Sequence, residues 1–261
     1  MDFLETSLPY ILAGISTGGQ YALIAIGYTM VYGILRLINF AHGDVFMAAG
    51  LIMIYTYTIM PLWISIPLTI ILTVLLGFTI ERTAYKPLRN APRMSIMISA
   101  IGMSYLIQNI ALYITGGLLK NYPKIPWISD SITIFGAITK RVTVITPVLT
   151  IFLVFALVFL INHTKIGMAM RAVSKDFETA QLMGIKIDSV ISMTFIIGSF
   201  LAAVGSILFF SNYPGVTPTV GGMPGLKAFV AAVFGGIGSI PGAVIGAFII
   251  GICENIIKGI G

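Results

Sequence analysis

The chain has 261 residues, of which 57% are hydrophobic and only 9% charged, and its formal net charge is +6. Its mean hydropathy is +1.01. Soluble domains carry about 25% charged residues, so a water-dispersed fold is excluded, and the apolar side chains must face lipid as well as each other.

Charge-free runs lay out the spans. Residues 6–35 contain no Asp, Glu, Lys or Arg, and neither do residues 45–80, a run long enough for two crossings divided near Pro61. Residues 94–119, 142–164, 189–226 and 228–253 are the further runs. A crossing takes roughly 20 apolar residues. The pattern predicts approximately seven crossings, at 8–33, 43–60, 62–80, 95–115, 143–162, 188–210 and 226–253. The last contains Gly235-Gly236-Ile237-Gly238-Ser239-Ile240-Pro241-Gly242, which disfavours a straight helix. A half helix, a break and a full helix are expected there, which raises the count to about eight. A second break is expected near 39–50, at Asn39-Phe40-Ala41-His42-Gly43-Asp44. The fold class is therefore all-α, a polytopic transmembrane helical bundle. Residues 1–261 form a single transmembrane domain, since no polar stretch is long enough for another.

Short loops orient the spans. The 81–93 loop has Arg82, Lys86, Arg89 and Arg93 against Glu81, and the 163–187 loop has Lys165, Arg171, Lys175 and Lys186 against Asp176 and Glu178. Both are expected on the cytoplasmic side, with the 116–142 loop and the N-terminus outside. Within 116–142, Ile132-Thr133-Ile134-Phe135-Gly136 and Arg141-Val142-Thr143-Val144 predict a small external β-hairpin. The basic residues are scattered in loops rather than clustered, so a nucleic-acid partner is not expected; membrane lipid is. Asp2 and Glu5 stand where a signal peptide would be basic, so no removable signal is expected. Cys253 is the one cysteine and can form no disulfide within the chain.

Catalytic constellations do not emerge. His42 and His163 are the two histidines, and neither has metal-ligand spacing. The G-x-S-x-G elbow and the phosphate-binding G-x-x-x-x-G-K-[ST] are both missing. Neither an enzyme nor an ATPase site is expected, and no cofactor or metal in this chain. The ionisable candidates within spans are Asp44, with Arg36 and His42 nearby, and Glu254. That poverty disfavours a carrier driven by an ion gradient. Two readings of 39–44 stand side by side. One is a helix break capped by Asn39 and Asp44. The other is a break that lines the translocation pathway through Asn39, His42 and Asp44. Most of the 28 glycines fit close helix packing.

The 163–187 loop holds a short helix. Ser174 or Asp176 can cap it, and Gly184 can close it. Phe177, Ala180, Gln181 and Gly184 fall on one face at i, i+3, i+4 and i+7. That face suits a groove on a partner protein; a helix lying on lipid headgroups suits it equally.

The residues themselves carry a resemblance. Glu178-Thr179-Ala180 followed by Gly184 resembles the E-A-A-x-x-x-G coupling loop of ABC importer permeases. Gly167-Met168-Ala169-Met170-Arg171-Ala172-Val173, with Asp176, Glu178, Ala180 and Leu182-Met183-Gly184-Ile185, is similar to the permeases of high-affinity branched-chain amino acid importers. So are Gly19-Gln20-Tyr21-Ala22-Leu23, Asn39 to Asp44, Lys86 to Arg93, and Gly235 to Gly242 with Gly246. The similarity runs in order along nearly the whole chain. It implies an inner-membrane permease of a bacterium or archaeon, in an ATP-driven importer of branched-chain amino acids. The implied partners are two ABC ATPase subunits, which bind ATP and Mg, a second related permease and an extracytoplasmic substrate-binding protein. The implied ATPase-coupling loop uses Phe177, Glu178, Ala180 and Gly184, with Arg171 as a basic flank. Family members usually continue past Gly261 with another span, so that span is expected to be missing here. Urea, amides or another small solute within the same family, an autonomous channel or carrier, and an intramembrane enzyme are the alternatives.

Overall fold

A computed structural model describes residues 2–134 and 137–260. Phe135 and Gly136, at the tip of the expected hairpin, and Gly261 lie outside the described residues. Helix α1 (Asp2–Leu35) is followed by α2 (His42–Ile59), α3 (Leu62–Ile80) and α4 (Arg93–Thr115). A π-helical turn, Glu81–Tyr85, extends α3. The 116–140 region holds β1 (Lys120–Asn121), the short α5 (Pro126–Ser129), β2 (Ser131–Ile134) and β3 (Ala137–Lys140). Then come α6 (Arg141–His163), α7 (Lys165–Lys175), α8 (Phe177–Leu182), α9 (Ile187–Asn212), β4 (Gly215–Val216), α10 (Gly222–Phe234) and α11 (Ile240–Ile260).

The protein is a multi-pass membrane bundle. Six described helices are long and apolar enough to cross a bilayer. Helix α2 is also 18 residues long, but its first turn carries His42 and Asp44. Helix α10, with 13 residues, is the expected half helix, and α11 the full one. Between them Gly236 (φ 91°) and Gly238 (φ 99°) adopt the left-handed backbone that a Cβ resists.

Burial separates the core from the lipid face. Helix α1 is central and packs on α11, α9, α6 and α10. The α1 span is 72% buried, against 22% for α4 and 17% for α6. Apolar side chains on α4 and α6 thus face outward, where a bilayer rewards them as water would not. Helices α1 and α11 run antiparallel along a small-residue seam. A Cβ on Gly18 would lie 2.7 Å from the Phe248 Cα, and one on Gly14 2.8 Å from the Ile252 Cα. Only glycine allows backbones to approach this closely.

The N-terminal break differs from the expected one. Helix α2 is continuous, and the interruption lies at residues 36–41. Arg36 leaves α1 with φ 55°. The chain then doubles back along α1, so that α2 starts beside Tyr28: the Tyr28 and His42 ring centroids are 5.0 Å apart. Tyr28 is about 10 Å short of Leu35 along α1. Helix α10 also begins within the bundle. A Cβ on Gly43 would lie 2.7 Å from the Gly221 oxygen, and one on Gly225 3.0 Å from the Gly43 Cα. Two helix N-termini therefore meet, backbone against backbone, inside the spanning layer.

The expected hairpin is present, with Ile132 opposite Thr139 and Thr133 opposite Ile138. Its second strand is 137–140, not 141–144. Arg141 to Val144 are instead the first turn of α6, because the apolar run behind them propagates a helix.

Gly18→Leu is expected to lower stability by about 1–3 kcal/mol through overpacking of the α1–α11 seam. A Cβ on Gly102 meets nothing within 4 Å, so Gly102→Ala serves as control. Thermal unfolding of the purified protein in detergent checks this; equal midpoints for the two variants would refute the seam.

Candidate functional site

One end of the bundle gathers the basic loops. The Arg36 guanidinium donates to the Ser174 carbonyl at 3.3 Å, joining the end of α1 to α7. Lys86 pairs with Asp188 at the start of α9 at 3.0 Å, and Arg89 pairs with the same carboxylate. The 81–93 and 163–187 loops therefore share one side, as the charge pattern predicts.

Helices α7 and α8 form this end's outer surface. Thr164 caps α7 by accepting from the Gly167 amide at 3.1 Å. Gly167, Met170 and Val173 turn inward at every third position. Asp176 caps α8, accepting from the Glu178 amide at 3.0 Å and the Thr179 amide at 3.2 Å. The Thr179 hydroxyl also donates to it, and holds its carboxyl below the usual aspartate range with help from the Thr179 and Glu178 amides. The cap is thus present at neutral pH and is lost only as pH falls through that lowered value. Gly184 closes α8 at φ 82°, and the Ile185 amide donates to the Ala180 carbonyl at 3.1 Å.

The inward and outward faces of α8 differ from the expected ones. Ala180 is 4% exposed, and Phe177 enters a 270 Å³ cavity lined by Leu35, Leu37, Tyr85, Arg89 and Ile191. These two residues seat α8 on the bundle instead of offering it to a partner. The exposed face carries Glu178, Leu182 and Met183; the last two are 88% and 78% exposed. Gly184 is exposed, and Arg171 donates to the Asn162 side chain and carbonyl at the end of α6. The i, i+3 spacing of Phe177 and Ala180 does mark one face, but the apolar core lies on that side.

Beneath α8 sits an ionic cluster that the charge count hides. Glu81 has no exposed surface. Its carboxylate pairs with Arg89 at 3.1 Å, lies 3.7 Å from Arg82, and accepts from the Ser192 hydroxyl at 2.9 Å. In sequence Glu81 reads as a loop residue, yet it directly follows a charge-free run and, at the start of the π-helical turn, continues the buried i+4 stripe of Ser65, Thr69, Thr73 and Gly77. From the same turn, the Tyr85 hydroxyl donates to Asn39 Oδ1 at 3.0 Å. Asn39 Oδ1 also accepts from the Ala41 amide at 3.2 Å.

Asn39, His42 and Asp44 are 2%, 2% and 3% exposed. They do converge on the break, but they face the chain's own interior and not an open path. Asp44 accepts from Ser104 and, at 2.9 Å, from Gln108, so it ties α2 to α4 and does not cap its own helix. A Cβ on Gly27 would fall 2.1 Å from the His42 ring, which wedges His42 between α1 and its neighbours. Polar groups at this depth need such partners, because lipid supplies none. Sequence reasoning missed Lys227, whose signal is a lone charge between two charge-free runs; it pairs with Glu254 at 2.7 Å.

Residues 10–261 match a family described as the permease component of branched-chain amino acid transport systems. The chain is 38% identical over 260 residues to the high-affinity branched-chain amino acid transport system permease protein BraD of Pseudomonas aeruginosa, covering 95% of this chain and 85% of that protein. It is 39% identical over 260 residues to the corresponding LivH of Escherichia coli K12, covering 95% and 84%. A solved metal-chelate-type ABC transporter in an inward-facing conformation shares the fold. Its TM-score is 0.54 at 15% identity, over 97% of this chain and 78% of that one.

Arg89→Ala leaves the buried Glu81 carboxylate with only Ser192 and the more distant Arg82, and is expected to cost about 3–5 kcal/mol. The double variant Glu81→Gln/Arg89→Ala is expected to recover most of that loss, since the amide can still accept from Ser192. Thermal midpoints of the three proteins in one detergent decide it; a double variant no more stable than Arg89→Ala would contradict a buried charge pair.

Proposed function

Because the chain belongs to the family of branched-chain amino acid transport permease components, we propose that it is the membrane-spanning subunit of an ATP-driven importer of branched-chain amino acids. It works in the cytoplasmic membrane of a bacterium or archaeon. ATP and Mg are bound by two ATPase subunits, a second related permease completes the pathway, and an external binding protein delivers substrate. The permease itself supplies a path and a lever, with no nucleotide site of its own.

The observation that carries this reading is the outward face of α8. Leu182 and Met183 are large, apolar and almost wholly exposed, beside Glu178, on the loop-rich basic end. Exposed apolar residues rimmed by charge fit a protein partner. A helix seated on the bundle by one face and open on the other fits a socket in an ATPase better than a lipid surface. Phe177 and Ala180 fix the helix from behind, and Gly184 and Arg171 border it. A push on α8 reaches Phe177, then Tyr85 in the same cavity, then Asn39 through its hydrogen bond. The 36–44 segment is thus the element that moves beside the pathway, with Asn39, His42 and Asp44 as its internal ties.

Leu182→Glu/Met183→Glu is expected to cut leucine uptake by cells at least about tenfold, with the protein still in the membrane at normal level. ATPase subunits should fail to co-purify with it. Normal uptake and normal co-purification would sink the docking assignment.

A further inference from the structure

A cavity of about 380 Å³ opens between α1, α10 and α11. Phe209, Val220 and Met223 make one wall apolar. The other wall carries three charges. Lys227 and Lys258 each donate to Glu254 Oε1 at 2.7 Å, and the Tyr21 hydroxyl donates to Oε2 at 3.0 Å. Along α11, Glu254 stands about 21 Å from Ile240. Ile240 lies at the α7–α8 end, since Gly238 packs on Gly33 near the end of α1. The cavity is therefore in the outer half of the bundle. At its floor, Val220 leads to Gly221, whose contact with Gly43 closes the way inward.

The charge balance of this cluster is the telling feature. Ionisable groups within a span are expensive and are normally paired off. Here one carboxylate faces two ammonium groups, which leaves one positive charge uncancelled. A purely structural stitch between α10 and α11 needs only Lys227 and Glu254. Lys258 adds a second cation at the more exposed rim, with its side chain 58% accessible against 17% for Glu254. An anion is the natural complement of that surplus. Glu254 can exchange one lysine for another cation, because a carboxylate accepts from several donors at once. A ligand carrying both a carboxylate and an ammonium on one carbon, next to an apolar branch, would satisfy every group present.

We propose that this cavity is a transit site for the zwitterionic backbone of an apolar α-amino acid. Lys258 and then Lys227 take the carboxylate, Glu254 takes the ammonium with Tyr21 steadying it, and the branch lies against Val220, Met223 and Phe209. This rests on the reading of the chain as an amino acid permease and adds to it a site inside the membrane subunit.

The test is uptake of radiolabelled leucine into proteoliposomes holding the whole transporter with saturating binding protein, with thermal midpoints of the same preparations. Lys227→Gln/Glu254→Gln removes both charges of the more buried pair together and leaves Lys258, whose side chain is 58% accessible, to be solvated by water. Its uptake is expected to fall at least about tenfold with the midpoint unchanged. Lys258→Gln, at an exposed position, is expected to raise the KM for leucine about fivefold with no change in midpoint. Uptake within twofold of wild type in the double variant, or an unchanged KM in Lys258→Gln, overturns the site. If the double variant loses midpoint as well as uptake, the KM of Lys258→Gln decides. If the wild-type complex imports another solute and no apolar amino acid, the amino acid reading fails, and the site falls with it.

Discussion

Two helices start inside the lipid layer, and their first turns touch at Gly43, Gly221 and Gly225. The amide groups at a helix start have no partners within the helix. At a membrane surface water would satisfy them; at this depth only protein can. The rest of the bundle packs around that contact. Helix α1 provides a buried wall, His42 fills the space over Gly27, and Asp44 locks α2 to Ser104 and Gln108. Side chains at the three glycines would force the two helix starts apart and open the layer between them.

The same junction explains how motion at one end can matter in the middle. The Phe177 cavity and the Tyr85–Asn39 hydrogen bond form a contiguous route from α8 to the segment that precedes α2. Glu81 and Arg89 brace that route from below, joining the π-helical turn to α9 through Ser192 and Asp188. Packed cores of this kind switch between discrete arrangements and do not bend smoothly. The residues behind the seated α8 thus form one packed block.

Much of the fold was legible from charge-free runs, since a lipid-facing span has a length set by the bilayer. Spans at 62–80, 95–115 and 143–162 matched α3, α4 and α6 to within a residue or two. The glycine-rich stretch at 235–242 announced its own break. What was not legible depends on tertiary placement. A break near Asn39–Asp44 is legible, but its place at 36–41 is not; that follows from Arg36 taking a left-handed backbone and from His42 finding a gap beside Gly27. The candidate site was half visible. The helix at 177–182, its Asp176 cap and its Gly184 close follow local rules, but the side on which the core lies is not a local property. So Phe177 and Ala180 were taken for the outward face and proved to be the inward one. Glu81 reads as one more loop charge, although it continues the buried i+4 stripe of Ser65, Thr69, Thr73 and Gly77.

That turn has a geometric consequence. A π-helical turn holds one residue more than the α-turn it replaces, and such insertions are frequent where a helix must do something other than pack. From Glu81 to Tyr85 the wider turn absorbs the extra residue, so the buried stripe of Ser65, Thr69, Thr73 and Gly77 continues through Glu81 to Tyr85. The lipid-facing stripe of α3 and the inward pair Glu81 and Tyr85 therefore coexist on one continuous rod. Removing a single residue there would return the rod to plain α-geometry, and the Lys86 amide would give up its bond to the Glu81 carbonyl.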